Sequence, residues 1–233
     1  MQLKSRSSQW FALSLATTLA LATLALAWPR LQASYRFLPV DLAIERYFED
    51  RQIPSQRLLT LLGFAGQAAR THDHYRYHDG LSFLHYLRGL DIYTPALQRR
   101  DAFRAAETEA IEAVRRAPAQ PEAWLRLATV RSILRDEPET VLAPWRMSVF
   151  TGRTHSTLLA HRVGVALPYL EYMDEESRAM LRDQLLLAWS LKRAELLREL
   201  KLRDPALQRT RELLQGFAPE ALAELEAGIE KAR

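Results

Sequence analysis

From Ser7 to Pro29 the chain carries no charged residue, and no other feature restricts the fold as much. At about 1.5 Å per residue, roughly 20 helical residues cross a hydrocarbon core about 30 Å thick. The segment SSQWFALSLATTLALATLALAWP is long enough to do so. Trp10 and Trp28 stand near its ends, where an indole keeps its ring in the membrane interface and its N–H hydrated. These features predict a transmembrane anchor over residues 9–29. The competing reading is a cleaved signal peptide, because Ala25-Leu26-Ala27 satisfies the small-x-small rule for cleavage. An apolar run longer than the roughly 7 to 15 residues of a signal core, followed at once by Trp28-Pro29, favours retention.

Lys4, Arg6 and the terminal amine precede the run, and Arg30 and Arg36 follow it, so the charge bias that sets orientation is slight. A short basic start before a first helix usually stays cytoplasmic. The expected organisation is therefore a cytoplasmic terminus over residues 1–8, the anchor, and a periplasmic domain over 30–233 at a bacterial inner membrane.

Beyond the anchor the chain is nearly neutral. The 32 basic residues include Lys4 and Arg6, which leaves 30 against 28 acidic ones for the rest. The pI near 9.5 is thus no sign of a nucleic-acid partner, and no basic stripe is interleaved with stacking aromatics. With 48% hydrophobic residues and 8 glycines, the chain has the composition of a folded helical protein rather than a disordered one. It contains no cysteine, which removes disulfides, thiolate catalysis and cysteine-based zinc sites together.

Apolar residues recur at three- and four-residue intervals throughout 40–233, and no alternating strand pattern competes with them. The fold class expected is all-α. A short helix is predicted over 40–49, and Pro54 breaks the chain before a second whose apolar face is Leu58, Leu62, Ala65 and Ala69. Further helices are predicted over 80–90, from Pro95 to Ala117, from Pro121 to the turn at Asp136-Glu137-Pro138, and over 138–150, 156–169, 174–200, 204–216 and 219–232. Asp204-Pro205 reads as a cap followed by a first-turn proline. Thr151-Gly152 reads as a helix stop, glycine entering the left-handed region at low cost. Helices of this length joined by short turns pair antiparallel and stack into a small solenoid.

The segment AVRRAPAQPEAWLRLA, from Ala113 to Ala128, resembles the junction between successive tetratricopeptide repeats. Ala113 and Pro118 close one repeat in that alignment, and Trp124, Leu127 and Ala128 open the next. Thr140 and Met147 then take its second-helix alanine positions, and Gly152 falls at the following turn. The likeness covers residues 104–152. A single anchor followed by degenerate repeats, with WRMSVFTGR after the tryptophan-containing hairpin, resembles tetratricopeptide-like proteins of bacterial exopolysaccharide and envelope-polysaccharide systems. That resemblance implies scaffolding, with a repeat array holding an enzyme, polymerase or export component near the membrane, and it transfers no functional residue.

The most unusual local composition is His72-Asp73-His74-Tyr75-Arg76-Tyr77-His78-Asp79, with His85 beyond it. In a helix His74 and His78 would share a face at the spacing of a two-histidine metal site, with Asp73 or Asp79 as a third ligand. The alternative is a polar turn between helices. HExxH, GxSxG, phosphate-binding glycine loops and the dinucleotide fingerprint are absent from the sequence. Asp174-Glu175-Glu176 fits a helix first turn better than a glycosidase carboxylate pair. Trp124, Trp145 and Trp189 sit among Leu, Ala and Met at helical spacing, which favours core packing over sugar stacking. Basic residues from Lys192 to Arg203 alternate with Glu195 and Glu199 as a solvated, ion-paired face.

The expectation is a non-enzymatic membrane-anchored scaffold with no cofactor, no resident metal and no assigned site residues. It would bind the membrane through 9–29 and a protein partner through its helices. Two alternatives stay open: a structural subunit of another membrane complex, and a metal protein or enzyme built on the 72–85 segment.

Overall fold

The computed structural model describes residues 3–50 and 53–231, and every regular element among them is helical. The all-α expectation is met. The chain divides into two compact units, Met1–Leu81 and Ser82–Arg233, with the division falling inside the third helix.

The first unit contains α1 (Leu3–Asp50), α2 (Ser55–Thr71) and the first turns of α3 (Tyr75–Leu90). The separate helix expected over 40–49 does not occur, because α1 runs unbroken through Pro29 and Pro39. Each proline removes one ladder bond, and the second half of α1 compensates by packing. Ala33, Phe37, Val40 and Ala43 return at four- and three-residue intervals and are buried against α2. α2 answers with Leu58, Leu61, Ala65 and Ala68. The predicted face named Leu62 and Ala69 in place of Leu61 and Ala68, a small rotation about the helix axis, since 58, 61, 65, 68 and 58, 62, 65, 69 are equally good helical stripes. Tyr77 covers the pair from α3, its ring centroid 4.9 Å from that of Phe37 and its hydroxyl 3.1 Å from Ser34 Oγ.

The second unit starts with three helices joined by tight turns: α4 (Ala96–Arg116), α5 (Pro121–Leu134) and α6 (Pro138–Thr151). Such short connections force antiparallel hairpins. Pro121 and Pro138 each occupy a first helical turn, where the missing N–H costs nothing. α5 ends on Arg135 in the left-handed region, φ 58°, and the Asp136 N–H donates to the Arg131 carbonyl. Gly152 ends α6 for a reason other than the predicted one. Its φ is −162°, an extended value open to any residue, but a Cβ there would lie 2.8 Å from the Pro121 ring. Close approach of two segments of the chain, rather than a left-handed turn, requires the glycine.

After Gly152 the helices are shorter than predicted. The 156–169 helix is α7 (Leu159–Ala166) followed by a 3₁₀ turn, Leu167–Tyr172. Pro168 has no N–H to continue the ladder. The long helix expected over 174–200 is two, α8 (Glu175–Leu191) and α9 (Arg193–Arg203), separated at Lys192. The bend lets α7 pack on both. Asp174 caps α8 by accepting from the Ser177 N–H at 2.8 Å. Asp204 does not start a helix at Pro205. It is buried, and its carboxylate accepts from both the N–H and the hydroxyl of Thr210 at 2.8 Å. It therefore braces the turn ahead of α10 (Gln208–Leu214), and α11 (Pro219–Lys231) follows. The main core gathers Trp145, Leu159, Val163, Leu167, Leu181, Leu185, Leu196 and Leu225 from α6 to α11.

Candidate functional site

The N-terminal half of α1 is where the fold departs furthest from a water-soluble protein. Trp10, Phe11, Leu13, Leu15, Leu19, Leu21, Leu24, Leu26 and Trp28 are all exposed. This helix is long and apolar enough to cross a membrane, and none of its most apolar stretch is buried by the rest of the chain. Its polar side chains are satisfied internally. Ser14 donates to the Phe11 carbonyl at 3.0 Å, Thr17 to Leu13 at 2.9 Å, and Thr18 and Thr23 to Ser14 and Leu19 at 2.8 Å. Hydroxyls that bond to carbonyls of their own helix suit a medium that offers no hydrogen bonds.

The histidine-rich segment is split by the start of α3 at Tyr75, so His74 lies ahead of the helix and His78 within it. The pair expected on one helical face is therefore not assembled. His78 Nε2 is 3.0 Å from Asp73 Oδ1, the His72 and His74 rings stack with centroids 6.0 Å apart, and His74 Nδ1 accepts from the Arg76 N–H at 3.3 Å. That bond occupies a lone pair a metal would need. Among the described residues no group of three His, Asp or Glu side chains could hold a metal ion.

His85 sits deeper, with a buried Nδ1 that has no hydrogen-bond partner. Burial holds its imidazole below the ordinary value of 6.5, Glu109 pulls it back up, and Arg88 pushes it further down. A base with a depressed folded pKa takes up protons more readily when unfolded, so its contribution is complete above about pH 6.5 and is lost as pH falls below that. His85→Leu should flatten the loss of thermal stability between pH 7.5 and 5.5. An unchanged acid response in differential scanning calorimetry would assign that loss to other groups, of which His74, lowered chiefly by burial, is the first to test.

Thr129 and His161, which sequence reasoning did not single out, form with Glu199 of the expected solvated face a chain of hydroxyl, imidazole and carboxylate. Thr129 Oγ1 is 2.9 Å from His161 Nε2, and His161 Nδ1 is 3.7 Å from Glu199 Oε1. The order is that of a nucleophilic relay, but the proton points the wrong way. Thr129 donates its one hydrogen to the Leu125 carbonyl, at 2.7 Å, and so accepts from His161 instead of giving a proton up to it. Its side chain is also buried. Gly164 leaves room for the Glu199 carboxylate, which a Cβ would strike. The arrangement ties α5, α7 and α9 together.

Arg162 is the largest buried polar group, with no exposed surface. Its Nε donates to Ser148 Oγ at 3.0 Å. Nη1 donates to the Gly152 carbonyl at 2.8 Å and to Gln184 Oε1 at 2.9 Å, and Nη2 donates to the Ser148 carbonyl. Burial pushes the guanidinium down to about 10, which leaves it charged at neutral pH. Trp145 closes the network by donating Nε1 to the Arg162 carbonyl at 3.1 Å. Most of these partners belong to WRMSVFTGR, so Arg162 fixes the shape of that segment. Just outside the network Phe150 stays 79% exposed, at a shallow open groove with Val149, Arg153, Ala179, Met180 and Asp183. The signal that could have revealed the network was a lone arginine inside TLLAHRVGVALPYL, since an arginine in such a run must bury its charge among acceptors.

The other candidates divide. Trp145 is wholly buried, as expected. Trp124 is half-buried and donates to the Pro118 carbonyl at 2.8 Å. Trp189 is half-buried, with the Arg193 guanidinium 3.7 Å from its ring centroid and Nε1 3.2 Å from Glu224. Both pack against core clusters, as expected, with their indole N–H at the edge of the fold. Thr140 and Met147, the second-helix positions of the repeat alignment, face outward; Leu142, Trp145 and Val149 make that interface instead. In the basic run Lys192, just ahead of α9, pairs with Glu195 at 3.6 Å, while Arg193 reaches Glu224 on α11 at 2.7 Å. No protein-family model matches this chain, and no curated protein is significantly similar to it in sequence.

Proposed function

We propose that this chain is a membrane-anchored scaffold without catalytic activity, held at a bacterial inner membrane by residues 9–29 and binding a protein partner through a periplasmic helical domain. The observation that carries the reading is the all-round exposure of apolar side chains from Trp10 to Trp28, whose internally paired hydroxyls suit a bilayer. Within the second unit α4, α5 and α6 pair as short-turn hairpins, a local arrangement that repeat proteins use to present binding surfaces. The repeat-like junction at 113–128 and the WRMSVFTGR segment direct the partner toward envelope or exopolysaccharide assembly, where a polymerase or export component would be the protein held. Affinity capture of the full chain from membranes in mild detergent should recover such a component. Recovery of an unrelated stoichiometric complex would instead assign the chain as a structural subunit of that assembly.

A further inference from the structure

Beyond the membrane span, α1 presents two opposite faces. Ala33, Phe37, Val40 and Ala43 are buried against α2, whereas Leu31, Tyr35, Leu38 and Leu42 are 59%, 77%, 49% and 43% exposed. The exposed set repeats at intervals of four, three and four residues, the spacing of a coiled-coil seam. Counted back toward the N-terminus, the same register takes in Trp28, Leu24 and Leu21, which are exposed as well. At about 100° per residue the two faces lie on opposite sides of the helix, so packing on α2 leaves the seam open. Pro29 and Pro39 both fall off it.

We propose that this seam joins two copies of the chain in a parallel dimer through α1, a proposal that rests on residues 9–29 being an uncleaved membrane anchor. Lipid does not cover the seam's far end. At about 1.5 Å per residue Leu38 and Leu42 stand roughly 14 and 20 Å above Pro29, whereas the interfacial layer outside the hydrocarbon is only about 5 to 8 Å deep. A second copy meets each requirement on the page. Two single-pass anchors with the same orientation place identical segments side by side at the same height, which enforces the parallel arrangement. Every seam residue from Leu21 to Leu42 is uncharged and can face its own counterpart. The flanking charges are complementary, because a residue just before one seam position reaches the partner's residue five places further on. Here that sets Asp41 of one copy against Arg46 of the other, twice by symmetry, and Asp41 already accepts from Arg76 at 2.7 Å in its own chain. Beyond Leu42 the next two seam positions are Glu45 and Glu49, where like charges would meet, so the contact ends there.

The chain has no cysteine of its own, which makes single-cysteine scanning direct. Full-length variants Leu31→Cys, Tyr35→Cys, Leu38→Cys and Leu42→Cys, with Gln32→Cys and Phe48→Cys as off-seam controls, are oxidised in native membranes. A disulfide-linked species of twice the chain mass should form several-fold more at the four seam positions than at the controls. Leu38→Glu, introduced beside Tyr35→Cys, should abolish it while leaving the circular-dichroism melt unchanged, since Leu38 is exposed in the single chain. Equal yields at all six positions, no dimer, or an adduct with the mass of a different protein would each overturn the proposal. Carbonate extraction of the same membranes separates the two failures. A chain retained in the pellet without seam cross-links refutes the dimer alone, and a shortened chain in the supernatant refutes the anchor and with it the dimer.

Discussion

Arg162→Ala should lower the unfolding free energy by about 3 to 5 kcal/mol, because several buried acceptors are left without a donor and a cavity opens where the side chain was. Four acceptors lose their donor together: the Ser148 hydroxyl and carbonyl, the Gly152 carbonyl and Gln184 Oε1. Three of the four cannot turn to solvent, because Ser148 and Gln184 are themselves completely buried. For a domain of this size that loss corresponds to a fall in Tm on the order of 10 °C. Arg162→Met separates the contributions, since it refills the volume but leaves the carbonyls stranded. It should cost less than alanine yet more than about 1 kcal/mol. The control is Arg153→Ala. Arg153 pairs with Asp183 at the surface, where solvent screens the pair, so its loss should have much the smaller effect. Thermal melts of the full chain in detergent give all three values. Equal effects from Arg162→Ala and Arg153→Ala would show that the buried guanidinium contributes no more than a surface one. A loss at Arg162 would also change the surface next to it, because the carbonyls it holds belong to the segment that presents Phe150 and Arg153.

What could be read in the sequence was whatever depends on local periodicity. The apolar span, the all-α class and the turns at Pro121 and Pro138 follow from residues close together in the chain, and the structure has them where they were predicted. The errors share a cause. An anchor over 9–29 and a separate helix over 40–49 treat one element as two, because α1 keeps going past Pro29 and Pro39 where a long packed face, here Ala33 to Ala43, offsets the missing bonds. Lys192 carries no breaking signal, and α8 and α9 separate there in a fold where α7 packs against both. Asp204 is a cap whose beneficiary, Thr210, is six residues away rather than three. The partners of Thr129, His161 and Glu199, and those of Arg162, are hidden for the same reason, since each set joins different helices; only the lone arginine in an apolar run marks the second. The histidine cluster erred in the other direction: it was conspicuous as composition, yet the helix boundary at Tyr75 parts its members.

Leu19→Arg combined with Leu21→Arg should move the protein out of the membrane. Both residues lie near the middle of the span, and each central arginine costs about 2.5 to 3.5 kcal/mol on the insertion scale, with a few tenths more for each leucine lost. Together they remove roughly 6 kcal/mol or more, a shift of several powers of ten in the inserted fraction. The parent should remain in the pellet after alkaline carbonate extraction, and the double variant should appear in the supernatant. A matched pair at the helix surface beyond the membrane, Gln32→Arg with Ser34→Arg, should leave extraction unchanged, which ties the effect to depth and not to added charge. Intact mass decides the signal-peptide alternative in the same samples. Retention predicts the full chain, whereas cleavage after Ala27 predicts a product beginning at Trp28. Protease added from the periplasmic side should then degrade the region after residue 30 in intact spheroplasts, and protection of that region would reverse the proposed orientation while leaving the anchor in place.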